Sequence, residues 1–419
     1  MRYLLIILCL FLGLNSQAQG LKAGPMLGMM TSSSVKLWAW AEAGDTLVAS
    51  VANKAYEQVA DKDGFVHMLI ESLSPSTNYR YTLRLNGEAL SGTWSFRTFS
   101  DQKVFDFDMA LGSCAYIVDS TVPELMPGRI PFGARYEIFD TIANRKPDVM
   151  FWLGDNIYLR DNEWESRERV LSRYAHSRQH PSYAHLLSTS SHLAIWDDHD
   201  YGPNDSNSAY EGRAMTRDVF LKQWLNPEPA TDSGIYATHR ISDVEFFLLD
   251  DRSFRPKYED GSMFGQTQQA WLFERLKASS ATFKIVATGS QLLSTQKLGE
   301  AYWERHEEAL QVLLDSISAL HIPGIMFVSG DVHVVEISRY DLEGGYPLYD
   351  FTFSPMTSLP NPVPVKNYRR VRKSYYKKRN FGWMGFRGEG DNRRMIVSAI
   401  NRKGKTIWEH VIYAKALGW

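Results

Sequence analysis

Cysteine is nearly absent from this chain. Cys9 and Cys114 are the only two in 419 residues. Cys9 lies in an N-terminal run read below as a removable leader, so no intramolecular disulfide framework is expected. A charge excess of one sign is missing too. There are 46 Lys and Arg against 48 Asp and Glu, a formal net charge of −2. The whole-chain field therefore favours neither nucleic acid nor an anionic membrane, and no stable nucleic-acid complex is expected. Long hydrophobic runs are lacking as well. The apolar stretch Leu4 to Leu14 is shorter than the roughly 20 residues that a membrane span needs. The chain shows no internal repeat, coiled coil or long low-complexity segment. A Gly-x-Ser-x-Gly elbow is also missing, which argues against a serine hydrolase.

The N-terminus reads as an address. Arg2 precedes the apolar run, and Ser16-Gln-Ala18 resembles a small-x-small cleavage site. Residues 1–18 are expected to be a signal peptide cleaved after Ala18. The lipoprotein reading fails because Leu8 precedes Cys9. An exported protein is expected, periplasmic or extracellular, with no transmembrane anchor after cleavage. The oligomeric state is not legible.

Hydrophobic residues make up 44% and charged residues 22% of the chain, as in an ordinary folded protein. Residues 19–100 alternate with period two, as in Val35-Lys-Leu-Trp-Ala-Trp40 and Tyr79-Arg-Tyr-Thr-Leu-Arg-Leu85. Leu73-Ser-Pro-Ser-Thr-Asn-Tyr79 looks like the proline-then-tyrosine corner of fibronectin type III domains. A small all-β sandwich is expected there, as a spacer or partner surface. After Ser100-Asp-Gln-Lys103 the pattern changes, and strands alternate with helices over 104–419. The helices are expected at 133–145, 168–188, 213–225, 267–278 and 301–320.

Within that second unit, apolar strands stop repeatedly at metal-loving or acidic residues. Met109-Ala-Leu-Gly-Ser-Cys114 and Val149-Met-Phe-Trp-Leu-Gly-Asp155-Asn-Ile-Tyr158 are two cases. Leu193-Ala-Ile-Trp-Asp197-Asp198-His199-Asp200 and Ile325-Met-Phe-Val-Ser-Gly-Asp331-Val-His333 are two more. Strands that end this way deliver their side chains to one rim, where α/β folds bind ligands. Asp155 at a strand end can bridge two cations. Tyr158, three residues on, offers a hard anionic phenolate suited to Fe³⁺. The carboxylates of 197, 198 and 200 repel one another unless a cation neutralises them. His199 can protonate a leaving oxygen or steady a phosphoryl group. Asn204 offers a neutral oxygen of the kind that Ca²⁺ and Mg²⁺ accept. Asp331 and His333 can converge on one ion. Cys114 reads either as a buried inert thiol or as a metal ligand. A cysteine nucleophile or a carboxylate-pair glycosidase leaves part of this set unexplained. The basic stretch Lys366–Arg379, with Tyr368, Tyr375 and Tyr376 interleaved, is either a solvated loop or an anion-attracting lip.

In this order, Gly112-Ser-Cys114, Gly154-Asp-Asn-Ile-Tyr158, Trp196-Asp-Asp-His-Asp200 and Ser329-Gly-Asp-Val-His333 resemble the alkaline phosphatase D (PhoD-like) family of calcineurin-like metallophosphoesterases. Leu249-Asp-Asp-Arg252 and Gly265-x-x-Gln268-x-x-Trp271-Leu272 resemble two further family stretches. The resemblance covers roughly residues 105–355. It implies a four-layer αββα domain with metals at the strand ends, and hydrolysis of phosphomonoesters and/or phosphodiesters by attack of a metal-bound hydroxide. It implies two or more metal ions. Fe³⁺ with Ca²⁺ is favoured, and Zn²⁺, Mn²⁺ and Mg²⁺ are alternatives. Carried over, Cys114, Asp155 and Tyr158 would hold iron, with Asp155 bridging. Asn204, Asp331 and His333 would complete the cluster, with Asp198 as a further ligand. His199 and Asp155 would be catalytic. Arg252 would either clamp the phosphate ester or form a structural ion pair. Two readings stand beside this one: a phosphodiesterase specialised for nucleic acid or a wall polymer, and an adhesion protein with a structural metal. The sequence departs from the family at Asp200, where Glu is common, and after Pro355. It ends in strand-like Thr406–Tyr413 rather than a lid helix.

Overall fold

The computed structural model describes residues 20–118, 125–126, 130–256, 261–297, 302–363 and 366–419. The expected signal peptide falls outside them. Two mixed β-sheets pack face to face, with helices on both outer surfaces. One has nine strands. At its centre Phe107–Gly112, Val149–Leu153 and Ser191–Ile195 run parallel. Asn380–Arg387, Arg394–Asn401 and Thr406–Tyr413 extend one edge antiparallel. The facing six-stranded sheet has Phe283–Ala287 and Ile325–Ser329 at its middle.

The sequence pattern explains this layering. In Val149–Leu153 both faces are apolar, as a strand covered on two sides requires. Val149, Phe151 and Leu153 enter the core between the sheets. Met150 and Trp152 pack outward with Ile138, Phe139 and Leu186 from the covering helices. Phe151 meets Phe246 of the other sheet edge-on, ring centroids 6.0 Å apart. On the far side, Gly265–Ala278 and Glu307–Ala319 turn Leu272, Leu276, Leu310, Leu313 and Ile317 inward, where they join the buried apolar cluster of the six-stranded sheet.

Two expected helices break. Residues 168–188 form Arg167–Arg178 and Pro181–Leu187, because Pro181 lacks an N–H and suits only a first turn. The stretch 301–320 forms Tyr302–Arg305 and Glu307–Ala319, separated by the non-helical His306 (φ −141°, ψ 45°).

Residues 20–100 are all-β, with the Ser74 N–H bonded to the Tyr79 hydroxyl at 2.7 Å. This segment is not set apart in space. Ala23–Met30 pairs in parallel with Ser191–Ile195, Leu27 opposite Ser191. Val35–Trp40 and Phe65–Ile70 follow it at the same edge. Three N-terminal strands thus continue the nine-stranded sheet. Gly28 on this strand lets Leu225 pack over it: a Cβ there would lie 2.1 Å from Leu225 Cβ.

Candidate metal centre

The parallel strands end in residues that ordinary strands avoid. Cys114, Asp155, Asp331 and His333 have φ of 58°, 53°, 60° and 56°. Left-handed backbone costs a non-glycine residue about 1–2 kcal/mol, and such strain gathers at functional sites. These turns lift the chain off the sheet and bring the ligand atoms of Cys114, Asp155 and His333 together. Gly154 (φ 86°) completes the turn before Asp155, and a Cβ on it would sit 2.6 Å from Asp197 Cβ.

Cys114, Asp155 and His333 each present a ligand atom within 4.8 Å of the others. Asp155, Asp198 and His199 form a second such group. Asp155 belongs to both. Its Oδ2 accepts the Tyr158 hydroxyl at 2.8 Å and lies 3.5 Å from the Cys114 thiol. The Tyr158 oxygen is 3.4 Å from His333 Nε2, and its ring lies 4.2 Å from that of His199, centroid to centroid. Seven expected residues are therefore accounted for by one neighbourhood, with Asp331 close enough to repel Asp155. Asn204 is exposed in the next loop. Its neighbour Asp205 donates an N–H to Asp198 Oδ2 at 2.8 Å, but among the described residues no hydrogen bond ties the Asn204 side chain to the cluster.

The electrostatics fit cations. Burial, then the charges of Asp198, Asp200 and Asp331, push the Asp155 carboxyl well above the usual range. Burial and Asp155 push both the Cys114 thiol and the Tyr158 phenol up. Burial holds His333 down to about 4, neutral and able to ligate at ordinary pH. Asp198 is held low. Burial opposes its ionisation but is outweighed by His199, Arg252 and the Asp205 N–H. Asp155 Oδ1 and His199 Nδ1 are buried without a hydrogen-bond partner. Thiol, phenol, imidazole and carboxylates crowded this way are costly alone and well matched to hard and borderline cations.

The other two aspartates of the 197–200 run are satisfied by the protein. Asp200 caps the short helix Asp198–Tyr201 and accepts the N–H groups of Asn156, Ile157 and Asp197 at 3.1–3.3 Å. It thereby pins the loop that carries Asp155. Burial pushes its carboxyl up to about 7. Asp197 Oδ1 accepts Arg252 Nε at 2.6 Å. Arg252 is fully buried, so the geometry is that of a structural ion pair with Asp197 and not of a phosphate clamp. Asp250 holds the Arg252 and Ser253 N–H groups, and Gln268 grips the Asp250 backbone at 2.8 and 2.7 Å. The Leu-Asp-Asp-Arg and Gly-x-x-Gln stretches thus form one brace behind Asp197.

Sequence reading missed Ser354 and Ser358. Ser354 Oγ lies 3.0 Å from Cys114 Sγ and accepts the His333 N–H at 3.1 Å. Ser358 donates to Tyr158 at 3.1 Å. The available signal was one more apolar strand, Pro347–Phe353, ending at Ser-Pro beside the others.

A family profile described as PhoD-like phosphatase matches residues 110–393. No curated protein matches the chain by sequence. A solved structure titled "Structure of PhoD" aligns with TM-score 0.72 at 17% identity, covering 93% of this chain and 92% of that one. Purple acid phosphatase PPD1 from yellow lupin (Lupinus luteus) seeds aligns with TM-score 0.70 at 11% identity, covering 93% and 74%. At such identities these likenesses speak for the fold.

Proposed function

The chain belongs to the PhoD-like phosphatase family, and from that premise we propose that it is an exported phosphoesterase working on phosphomonoesters, phosphodiesters or both. The family and its fold make it a metal-dependent phosphatase of mixed α/β architecture. One observation carries the finer reading: Asp155 is shared by two groups of mutually adjacent ligand atoms. That is what a carboxylate bridging two ions requires. Cys114, Tyr158 and His333, with Asp155, suit ferric iron. Asp155, Asp198 and Asp331 suit calcium, and Asn204 would have to turn in from its exposed loop to join them. Bound cations would supply Lewis acidity and lower the pKa of a coordinated water.

The residues then have distinct tasks. His199, packed against the Tyr158 ring at a tilt of 34° with its Nδ1 unpartnered, delivers a proton to the leaving oxygen. Ser354 and Ser358 orient Cys114 and Tyr158. Asp200 and the Arg252–Asp197 pair are positioning groups that keep the Asp155 loop and the His199 helix in register. Residues 20–100 form a β unit that buttresses the Ser191–Ile195 edge. No helix among the described residues is long and apolar enough to cross a membrane.

Elemental analysis of the purified protein, with its visible spectrum and rates on mononitrophenyl and bis-nitrophenyl phosphate, tests this. Iron with a tyrosinate absorption that vanishes in Tyr158→Phe is expected, with turnover of at least one ester. Metal-replete protein with no turnover of either ester would overturn it.

A further inference from the structure

Beside the metal centre lie two cavities of about 610 and about 300 Å³ that share Arg135 and Arg379. Lys378, Arg402 and Lys403 complete the cationic lining of the smaller one, and among the described residues no carboxylate lines it. Among the described residues the larger has Glu137, and that is paired with Arg402. Arg135, Lys378 and Lys403 are exposed. Like charges from three separated segments repel one another, and the fold holds them together: the Arg402 N–H bonds the Arg379 carbonyl at 3.3 Å, and the Ala134 N–H bonds the Thr357 carbonyl at 3.0 Å. Burial and the Arg135 and Arg402 charges hold Arg379 below its usual range. His180, in the wall of the larger cavity, has a buried Nδ1 with no hydrogen-bond partner.

The groove is tied to the site by chain path. Ser358 bonds Tyr158, and the next two residues, Leu359 and Pro360, line the two cavities. Arg379 Nε donates to the Thr357 carbonyl at 2.8 Å. A molecule seated at the strand ends could therefore extend past Ser358 into a cationic recess.

We propose that this recess is a second anion subsite, and that the preferred substrates carry a second phosphate beyond the ester being cleaved. This rests on the phosphoesterase reading. Arg135 and Arg379 would fork around the distal phosphate, as guanidinium groups do with dianions. Lys378 and Lys403 would supply longer-range attraction, weakened by salt. The whole chain is nearly neutral, so the attraction is local to this recess.

The test compares alkanediol bisphosphates with three- and six-carbon spacers against propyl phosphate. The readout is the ratio of kcat/KM values, bisphosphate over monophosphate. Wild-type enzyme should favour a bisphosphate by about tenfold or more, the worth of one good charge-assisted contact. Arg135→Ala/Lys403→Ala should bring the ratio near unity, and Lys378→Ala should lower it partway. A second readout needs no turnover: calorimetric titration with propane-1,3-bisphosphonate and propylphosphonate, where the same preference and loss are expected. A wild-type ratio near unity in both assays, or one unchanged in the double variant, overturns the subsite. If no ester is hydrolysed, the phosphoesterase reading falls, and the calorimetric ratio still decides the subsite.

Discussion

Replacing Asp155 by Asn removes one charge and almost no volume from the point where the two ligand groups meet. Unit charges 4 Å apart at an effective dielectric of 20 interact with about 4 kcal/mol, so a dication doubles this to roughly 8. If solvent and neighbours recover half, a divalent ion loses about 4 kcal/mol, or about a thousandfold in affinity, and a trivalent one more. Activity should fall at least that far. The metal-free protein should respond in the opposite sense. Asp155 has a folded-state pKa raised by burial and by Asp198, Asp200 and Asp331. A raised carboxyl contributes stability below its unfolded value, which is lost as pH rises through the folded value. Asn does not titrate. At pH 8 the chelated variant should therefore melt no lower than the chelated wild type. Metal content in chelator-buffered solution, rates on a nitrophenyl ester and paired thermal melts measure all three. A variant that keeps both ions and its turnover would refute the bridge. A chelated variant melting several degrees below chelated wild type would refute the electrostatic account of the cluster.

Other outcomes follow from the same geometry. Arg252→Ala strands Asp197, which is as buried as its partner, and should cost about 3–5 kcal/mol in urea denaturation; a loss under 1 kcal/mol would contradict a structural pair. Asp200 titrates near 7 in the fold against 3.8 unfolded. Metal-free protein should lose about 1.4 kcal/mol per pH unit from this group as pH rises between those values, and Asp200→Asn should remove that slope; identical stability-versus-pH curves would count against it. His199→Gln should lower kcat about 10²-fold for an alkyl phosphate, whose leaving oxygen needs a proton, and far less for a nitrophenyl phosphate; equal losses on both would remove His199 as the proton donor.

Much of the fold was legible because its signals are local. Strands buried on both faces read as apolar runs, and Val149–Leu153 does so at a glance. Pro181 and His306 show the limit: an amphipathic pattern continues across a residue that stops the helix. The turns at Cys114, Asp155 and Asp331 were legible as abrupt ends of apolar runs. Their left-handed backbone was not, since Cys and Asp do not announce it as Gly does. What satisfies the other carboxylates of the acidic run was not legible for a related reason. Three adjacent carboxylates repel one another until something neutralises them, and the local pattern does not say what. In the structure Arg252 meets Asp197, backbone N–H groups meet Asp200, and Asp198 alone faces Asp155.

By itself the sequence determined which chemistry the chain can bring to a strand-end rim: thiol, phenol, imidazole and carboxylates behind apolar strands. Those identities and their order also carry the family resemblance. Only the tertiary structure decided which carboxylate is shared, which are spoken for, and that an N-terminal strand closes against Ser191–Ile195. The reason is that each deciding partner is distant in sequence. Ser354 reaches Cys114 across 240 positions and Arg252 reaches Asp197 across 55, and contacts of that range are chosen by sheet order and packing rather than by local pattern.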